Sequence, residues 1–167
     1  LGRYRETVRR IEEHATGRTL DVGCGDMTFR EHVLRYAASY DGLDIELRAP
    51  GVTYLGDAQN MDMVPSGSYA TVLCLEVLEH VPDPARAVAE IFRVLGSGGK
   101  LIVSVPHLSR LHEEPIDFYR YTKYGLAYLL ETAGFEVLEI CPRGGVFCFS
   151  GHQVSTLLLG LTWHVPG

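Results

Sequence analysis

The run Leu20-Asp21-Val22-Gly23-Cys24-Gly25 constrains the fold more than any other part of the chain. Thr19–Val22 is apolar enough for a short buried strand, and Gly23 and Gly25 let the backbone bend tightly and approach a ligand. The Phe29–Ala38 segment then carries apolar residues at helical spacing, so a strand gives way to a helix across the glycines. That junction is where open α/β sheets bind nucleotide-like ligands.

Strand and helix patterns alternate along the rest of the chain. Tyr4–His14 predicts a helix with Val8, Ile11 and Ala15 inward; it reads as a solvated amphipathic helix or as part of a lid. Ser39–Asp44 and Val52–Leu55 are short strand candidates. Tyr69–Glu76 is almost continuously apolar, as a central parallel strand covered on both faces should be. Asp83 or Pro84 begins a helix with Ala85, Val88, Ile91, Phe92 and Leu95 on one face. Gly98-Gly99 turns into the strand Lys100–Val105. Thr122 caps a helix running through Ala133 to Gly134, and Phe135–Cys141 reads as a further strand.

This alternation predicts an α/β fold, a parallel sheet in three layers. One connection is unusual. Only Ile45–Gly51 joins the second and third strands, and Pro50 and Gly51 discourage a helix there. A parallel crossover usually needs about ten to twelve residues, whereas seven extended residues reach about 23 Å. The helix after the second strand should therefore be missing or very short, leaving one sheet face poorly covered.

At 167 residues the chain is read as one domain, 1–167, with truncation at either end left open. A net charge of −6 gives no reason to expect nucleic acid as a partner. No apolar run reaches the roughly 20 residues that span a bilayer; Val154–Leu161, followed by Trp163, reads as a buried packing element. Cys24, Cys74, Cys141 and Cys148 form no C-x-x-C pair, which suits a reducing, cytoplasmic setting. No metal-ligand set is assigned.

Three acids follow three consecutive strands: Asp21, Asp44 and Asp57. In a doubly wound sheet their carboxylates converge on one crevice. Asp44 lies about twenty residues past the glycines, where a carboxylate accepts both hydroxyls of a ribose. Asp57 can accept an adenine amine, with the Ala58 N–H facing a ring nitrogen. Asp21 can orient the glycine loop or hold an ammonium group. Three acids without a basic residue in the loop make a poor cradle for pyrophosphate and suit a ligand that carries positive charge.

The order LDVGCG, GLDI (Gly42–Ile45), GDA (Gly56–Ala58) and Leu75-Glu76-Val77-Leu78-Glu79-His80-Val81 resembles the class I S-adenosylmethionine-dependent methyltransferases. The likeness is to their small-molecule branch, which includes quinone-biosynthesis enzymes. It continues through Val64–Val72, Gly98–Pro106 and Ala133–Val137, covering roughly Thr19 to Cys141. The resemblance implies a Rossmann-like sheet of order 3-2-1-4-5-(7)-6 and S-adenosyl-L-methionine as cofactor. It places the methionine moiety on Asp21, Gly23, Cys24 and Gly25, the ribose on Asp44 beside Ile45, and the adenine on Asp57 and Ala58. Leu75 and Glu76 would face the cofactor from the fourth strand. The implied partner is a small-molecule methyl acceptor, and the implied state a monomer or homodimer.

Two positions depart from the pattern: Met27 stands where the family usually has a third glycine, and Ala70 where it commonly has an aspartate. Met27 could crowd the cofactor's carboxylate end or pack on the following helix. Val146–Ser150 is the candidate seventh strand, with a terminal helix as the other reading.

For catalysis, His107 follows the fifth strand, and a neutral imidazole there can take a proton from the acceptor as methyl transfer proceeds. His107, Tyr119 and Arg120 are the acceptor-binding candidates, in a loop that also holds His112 and Asp117. Set against that is a plain anchoring role for His107 and the Asp117–Tyr121 segment. Glu79-His80 reads as ordering the loop behind the cofactor rather than as an acid–base pair. Cys24, near a helix N-terminus where a thiol pKa can fall, is assigned no redox role. An NAD-dependent dehydrogenase is disfavoured because Thr28 stands where its fingerprint needs a third glycine. The alternative to an enzyme is a non-catalytic domain that binds the cofactor or serves as an interaction module.

Overall fold

The computed structural model describes residues 2–142 together with Ser150 and Val154. Its elements in chain order are α1 (Gly2–His14), β1 (Arg18–Val22), α2 (Arg30–Val33), β2 (Ser39–Asp44), β3 (Tyr54–Leu55), β4 (Tyr69–Leu75), α3 (Pro84–Val94), β5 (Leu95–Ser104) and α4 (Lys123–Thr132). The five strands form one sheet in the order β3-β2-β1-β4-β5, with every pair parallel. This is the first part of the expected order, and the chain path reverses between β1 and β4.

Alternation along the central strands sorts the core into two layers. Leu20 and Val22 of β1 and Val72 and Cys74 of β4 pack with Val88, Ile91 and Val94 of α3 and Leu126 and Leu130 of α4. Leu73 faces the other way and meets Ile11 and Ala15 at the end of α1 and Val33 of α2. The sheet thus lies between α1 with α2 and α3 with α4. Asp83 caps α3 by accepting from the Arg86 N–H at 3.1 Å, and Thr122 caps α4 by accepting from Gly125 at 3.0 Å.

Several local expectations are corrected. The helix expected over Phe29–Ala38 is regular only at Arg30–Val33; beyond it the N–H groups of Arg35 and Tyr36 reach back three residues, to His32 and Val33, as tight turns. On α3 the buried face is Ala87, Val88, Ile91 and Val94, while Ala85 is exposed and Phe92 lies edge-on to Phe135 at the rim. The third strand shrinks from Val52–Leu55 to Tyr54–Leu55. The fifth begins at Leu95, paired with Tyr69, and crosses an irregular glycine stretch before its regular ladder at Lys100–Ser104.

Phe135–Cys141 forms no ladder among the described residues. Phe135 and Val137 nonetheless pack on the core while Glu136 and Leu138 are exposed, which is strand-like alternation. In the expected order this strand pairs only with the seventh, whose candidate Val146–Ser150 lies, apart from Ser150, outside the described residues. Val154–Leu161 lies outside them too, except for Val154. Arg10 of α1 clamps the Phe135–Cys141 run through two bonds to Glu139, at 2.6 and 2.7 Å.

The short connection at 45–51 carries no helix, as its length predicts. Ile45, Leu47 and Leu55 are consequently exposed.

Candidate cofactor and acceptor site

The carboxyl ends of β1, β2 and β4 meet at the switch point between the two directions of winding, where such sheets open a crevice. The loop after β1 is fixed by its neighbours: the Gly23 and Cys24 N–H groups both donate to the Leu43 carbonyl, at 2.8 and 3.1 Å. Gly23 has φ +71°, and a Cβ there would run into Val77, so this turn accepts no side chain. Asp44 faces the loop. One carboxylate oxygen accepts from the Gly25 N–H at 2.8 Å and the other from Glu46 N–H at 3.1 Å, which leaves each oxygen a further lone pair.

Asp21 lies beneath this loop with 4% of its surface exposed. The Tyr40 hydroxyl donates to it at 2.6 Å, and no arginine, lysine or histidine among the described residues forms an ion pair with it. Burial, with a smaller push from Asp44, raises its pKa from the ordinary 3.8 to about 7. A buried carboxyl with one hydroxyl partner and no cation fits a positively charged ligand group and opposes a phosphate.

Met27 keeps the left-handed backbone, φ +54°, that the usual glycine would supply. Its side chain is nearly buried and turns under β2, where Gly42 makes room for it: a Cβ at Gly42 would lie 3.1 Å from Met27 Cε and 2.8 Å from Cys24 Sγ. Met27 therefore packs against the sheet instead of crowding the crevice. Burial pushes the Cys24 thiol up to about 12, with Asp21 and Asp44 adding to the effect. Nearby carboxylates and burial thus outweigh the short α2, and the thiol stays protonated.

The other expected cofactor residues are distributed around the same edge. Ile45 is 59% exposed and adjoins Asp44, offering an apolar shelf. Asp57 is exposed and is held by the Gln59 N–H and side-chain amide, while Ala58 is buried beside it. Leu75 ends β4, and Glu76 follows with φ +56°, a strained conformation for a glutamate. Ser104 of β5 holds that strain: its carbonyl accepts from the Glu76 N–H and its hydroxyl donates to the carboxylate, both at 2.9 Å.

The loop after β5 lies over the loop after β4. His107 is exposed at its start and makes no hydrogen bond or ion pair among the described residues. Arg120 is committed to the loop itself. Its guanidinium meets both oxygens of Asp117, at 2.5 and 2.6 Å, and donates to the carbonyls of Ser109, Arg110 and Tyr119. Tyr119 donates to the Pro82 carbonyl and Tyr121 to the Leu78 carbonyl. The hydrogen-bonding ends of Tyr119 and Arg120 thus serve the loop, while about 38% of Tyr119 stays exposed.

This stacking of loops assembles a group that sequence reasoning did not bring together. Glu79 is fully buried, and among the described residues neither carboxylate oxygen has a hydrogen-bond partner. Burial raises its pKa to about 7. His80 lies 3.7 Å from it, and the His112 ring stands edge-on to His80 with centroids 4.8 Å apart. Glu79 and His80 are visible in the sequence as neighbours; His112, thirty-two positions further on, carries no signal of its approach.

A parallel sheet wound 3-2-1-4-5, a glycine turn facing a carboxylate after β2, and an acidic crevice without a basic cradle define a Rossmann-like methyltransferase. Residues 2–140 match the methyltransferase-domain family, and the chain belongs to it. It is 32% identical over 141 residues to the ubiquinone biosynthesis O-methyltransferase of Ralstonia nicotianae, covering 76% of this chain and 53% of that one. The corresponding enzyme of Pseudomonas paraeruginosa is 32% identical over 151 residues, covering 80% and 59%. The chain thus spans little more than half the length of these curated relatives.

Among solved structures, the S-adenosylmethionine-dependent methyltransferase of Mesorhizobium loti superposes with a TM-score of 0.70 at 19% identity, covering 93% of this chain and 92% of that one. The [4+2]-cyclase SpnF superposes with a TM-score of 0.65 at 23% identity, over 80% and 57%. One fold therefore carries more than one chemistry, and activity has to be argued from the site.

Proposed function

We propose that this chain transfers the methyl group of S-adenosyl-L-methionine to an oxygen of a small, partly apolar acceptor. The observation that carries the reading is Asp21, buried beside Asp44 at the crevice floor without a cation among the described residues. The bound cofactor would supply a sulfonium, already an excellent methyl donor. What remains for the protein is to bind, align and exclude water. Asp21 takes the ammonium end, which holds its carboxyl ionised. Asp44 accepts the two ribose hydroxyls with its spare lone pairs, and Ile45, Asp57 and Ala58 receive the adenine. Gly23 and Gly25 keep the approach open, with Cys24, Leu75 and Glu76 completing the wall.

His107 takes the acceptor's hydroxyl proton as the new C–O bond forms and the S–C bond breaks. The exposed part of Tyr119 lines the acceptor side, in a loop that Arg120 holds in shape. An oxygen acceptor is favoured because the curated relatives are named O-methyltransferases. No helix among the described residues is long and apolar enough to cross a membrane. With a net charge of −6 and buried free thiols at Cys24 and Cys74, a cytoplasmic monomer or homodimer without nucleic acid partners is the reading we favour.

Titrating the cofactor by calorimetry, then assaying label transfer from methyl-labelled cofactor to a panel of phenols and hydroxybenzoates, tests the proposal. One-to-one binding with transfer to a phenolic oxygen is expected. A folded protein that does not bind the cofactor refutes it. Binding without transfer to any acceptor on a broad panel selects the non-catalytic reading instead.

A further inference from the structure

The geometry points to Tyr40 as a positioning residue for the cofactor: its hydroxyl fixes one oxygen of Asp21 and leaves the other for the ammonium group. The role rests on the methyl-transfer reading, in which Asp21 takes that ammonium. Tyr40 acts through Asp21 and not on the cofactor itself.

Tyr40 of β2 stands opposite Thr19 of β1, two residues short of Asp21 on the same face of the sheet. Two strand residues span about 6.6 Å. The tyrosine ring covers that length and brings its hydroxyl to 2.6 Å from Asp21 Oδ2, while Oδ1 accepts no hydrogen bond among the described residues. A serine or threonine at position 40 would fall short. A lysine or arginine would reach, but its charge would satisfy the carboxylate that the ammonium needs. A phenol orients the carboxylate and leaves its charge to be matched by the ligand.

The surroundings keep the phenol a donor. Tyr40 packs on the layer formed by Ile11 and Ala15 of α1, Val33 of α2 and Leu73 of β4, none of which titrates. Burial and the Asp21 carboxylate push its pKa far up, so the hydroxyl stays protonated at physiological pH. Asp44 at the end of β2, Cys24 in the glycine loop and Cys74 of β4 bear on Asp21, and burial holds both thiols protonated. Arg30 of α2, paired with Glu31, bears on Tyr40. Among the described residues the Tyr40 bond is thus the contact that favours the ionised form of Asp21, against burial and Asp44. Removing it should raise the Asp21 pKa by about one unit.

Tyr40→Phe keeps the ring and its packing and removes only the hydroxyl. Binding of S-adenosyl-L-homocysteine, which has the cofactor's ammonium end, is followed by calorimetry on the full chain from about pH 6 to 8.5. Because this ligand needs Asp21 ionised, wild-type affinity should rise with pH and level off above about 7. The variant should bind about tenfold more weakly at pH 6, level off about one unit higher, and come within about threefold of wild type at pH 8.5. 5′-Methylthioadenosine, which has the nucleoside but no ammonium, should bind both proteins alike at every pH. In an Asp21→Asn background, Tyr40→Phe should produce no pH-dependent difference. Unchanged binding in Tyr40→Phe, a loss of equal size at pH 6 and 8.5, or a loss that methylthioadenosine shares overturns the assignment while leaving the methyl-transfer reading in place. A folded wild-type protein that does not bind S-adenosyl-L-homocysteine overturns both, so the two failures are told apart.

Discussion

Replacing Asp21 by asparagine should make the cofactor-free protein more stable while removing its grip on the cofactor. Asp21 is buried and its pKa stands at about 7 instead of 3.8 because burial disfavours the charge. At 1.36 kcal/mol per pK unit, holding it ionised in the fold costs about 4 kcal/mol at pH 8 relative to the unfolded chain. The sign follows from linkage. Between about pH 4 and 7 the folded state binds the proton more tightly than the unfolded state, so this contribution to stability falls as pH rises and levels off above 7. Asparagine carries no charge and still offers an oxygen to the Tyr40 hydroxyl, now 2.6 Å from the carboxylate. Urea denaturation without cofactor should therefore show Asp21→Asn more stable than wild type by about 2–4 kcal/mol at pH 8, and by only about 1 kcal/mol at pH 4.5. The same variant should bind the cofactor at least about tenfold more weakly at pH 8, since an amide gives an ammonium less than a carboxylate does. Equal stability of the two proteins at pH 8, or a difference that does not change with pH, would refute the argument that Asp21 is held uncompensated.

Other expectations follow from the same geometry. Asp44→Ala should weaken cofactor binding about 100-fold by calorimetry, because two backbone N–H groups and the ribose site lose their acceptor together. His107→Ala should change that affinity less than about threefold and lower turnover instead; equal losses of affinity in both would misplace His107. Met27→Gly should leave cofactor affinity within about threefold and cost about 1 kcal/mol in denaturation, lost burial being partly offset by relief of its left-handed backbone. Arg120→Gln should raise the acceptor KM while leaving cofactor affinity unchanged, because it releases the loop and not the crevice floor. A loss of cofactor affinity in that variant would show the two halves of the site to be coupled.

The gathering of the strand-end acids at one sheet edge was legible in the chain for a geometric reason. In a parallel sheet each strand ends at the same edge, so one residue per strand end, spaced along the sequence, becomes a set of neighbours in space. Asp21, Asp44, Asp57 and the Glu76 turn are such residues, and knowing the order of the strands is enough to bring them together. The regular part of the helix after the glycines was overestimated for a related reason. Spacing at Phe29–Ala38 is helical throughout, but the turn must return to β2 within a few residues, and the N–H groups of Ala38 and Ser39 are captured by the Gly17 carbonyl. Tertiary closure wins there over local periodicity.

The packing of the loop after β5 was not legible, because there a loop folds back on a loop. Nothing in the spacing of His80 and His112 announces that they touch. Their approach depends on the Phe118 and Tyr121 bonds to the chain at Leu78 and Glu79, and on Arg120 drawing the carbonyls of Ser109 and Arg110 around itself. Met27 makes the same point in reverse. Read alone it is a bulky residue where a glycine is expected, and the natural inference is obstruction. Its consequence is set by Gly42, fifteen residues away on β2, whose missing side chain receives it. A valine at Gly42 in an otherwise unchanged chain should therefore displace Met27 or Cys24 from beneath the sheet and cost about 1–3 kcal/mol. In the Met27→Gly background part of the space that valine needs is already vacant, so a double-mutant cycle should show coupling of about 1 kcal/mol between the two positions. Strict additivity would mean that Met27 does not rest on Gly42, and that the crevice is kept open by something other than this pair.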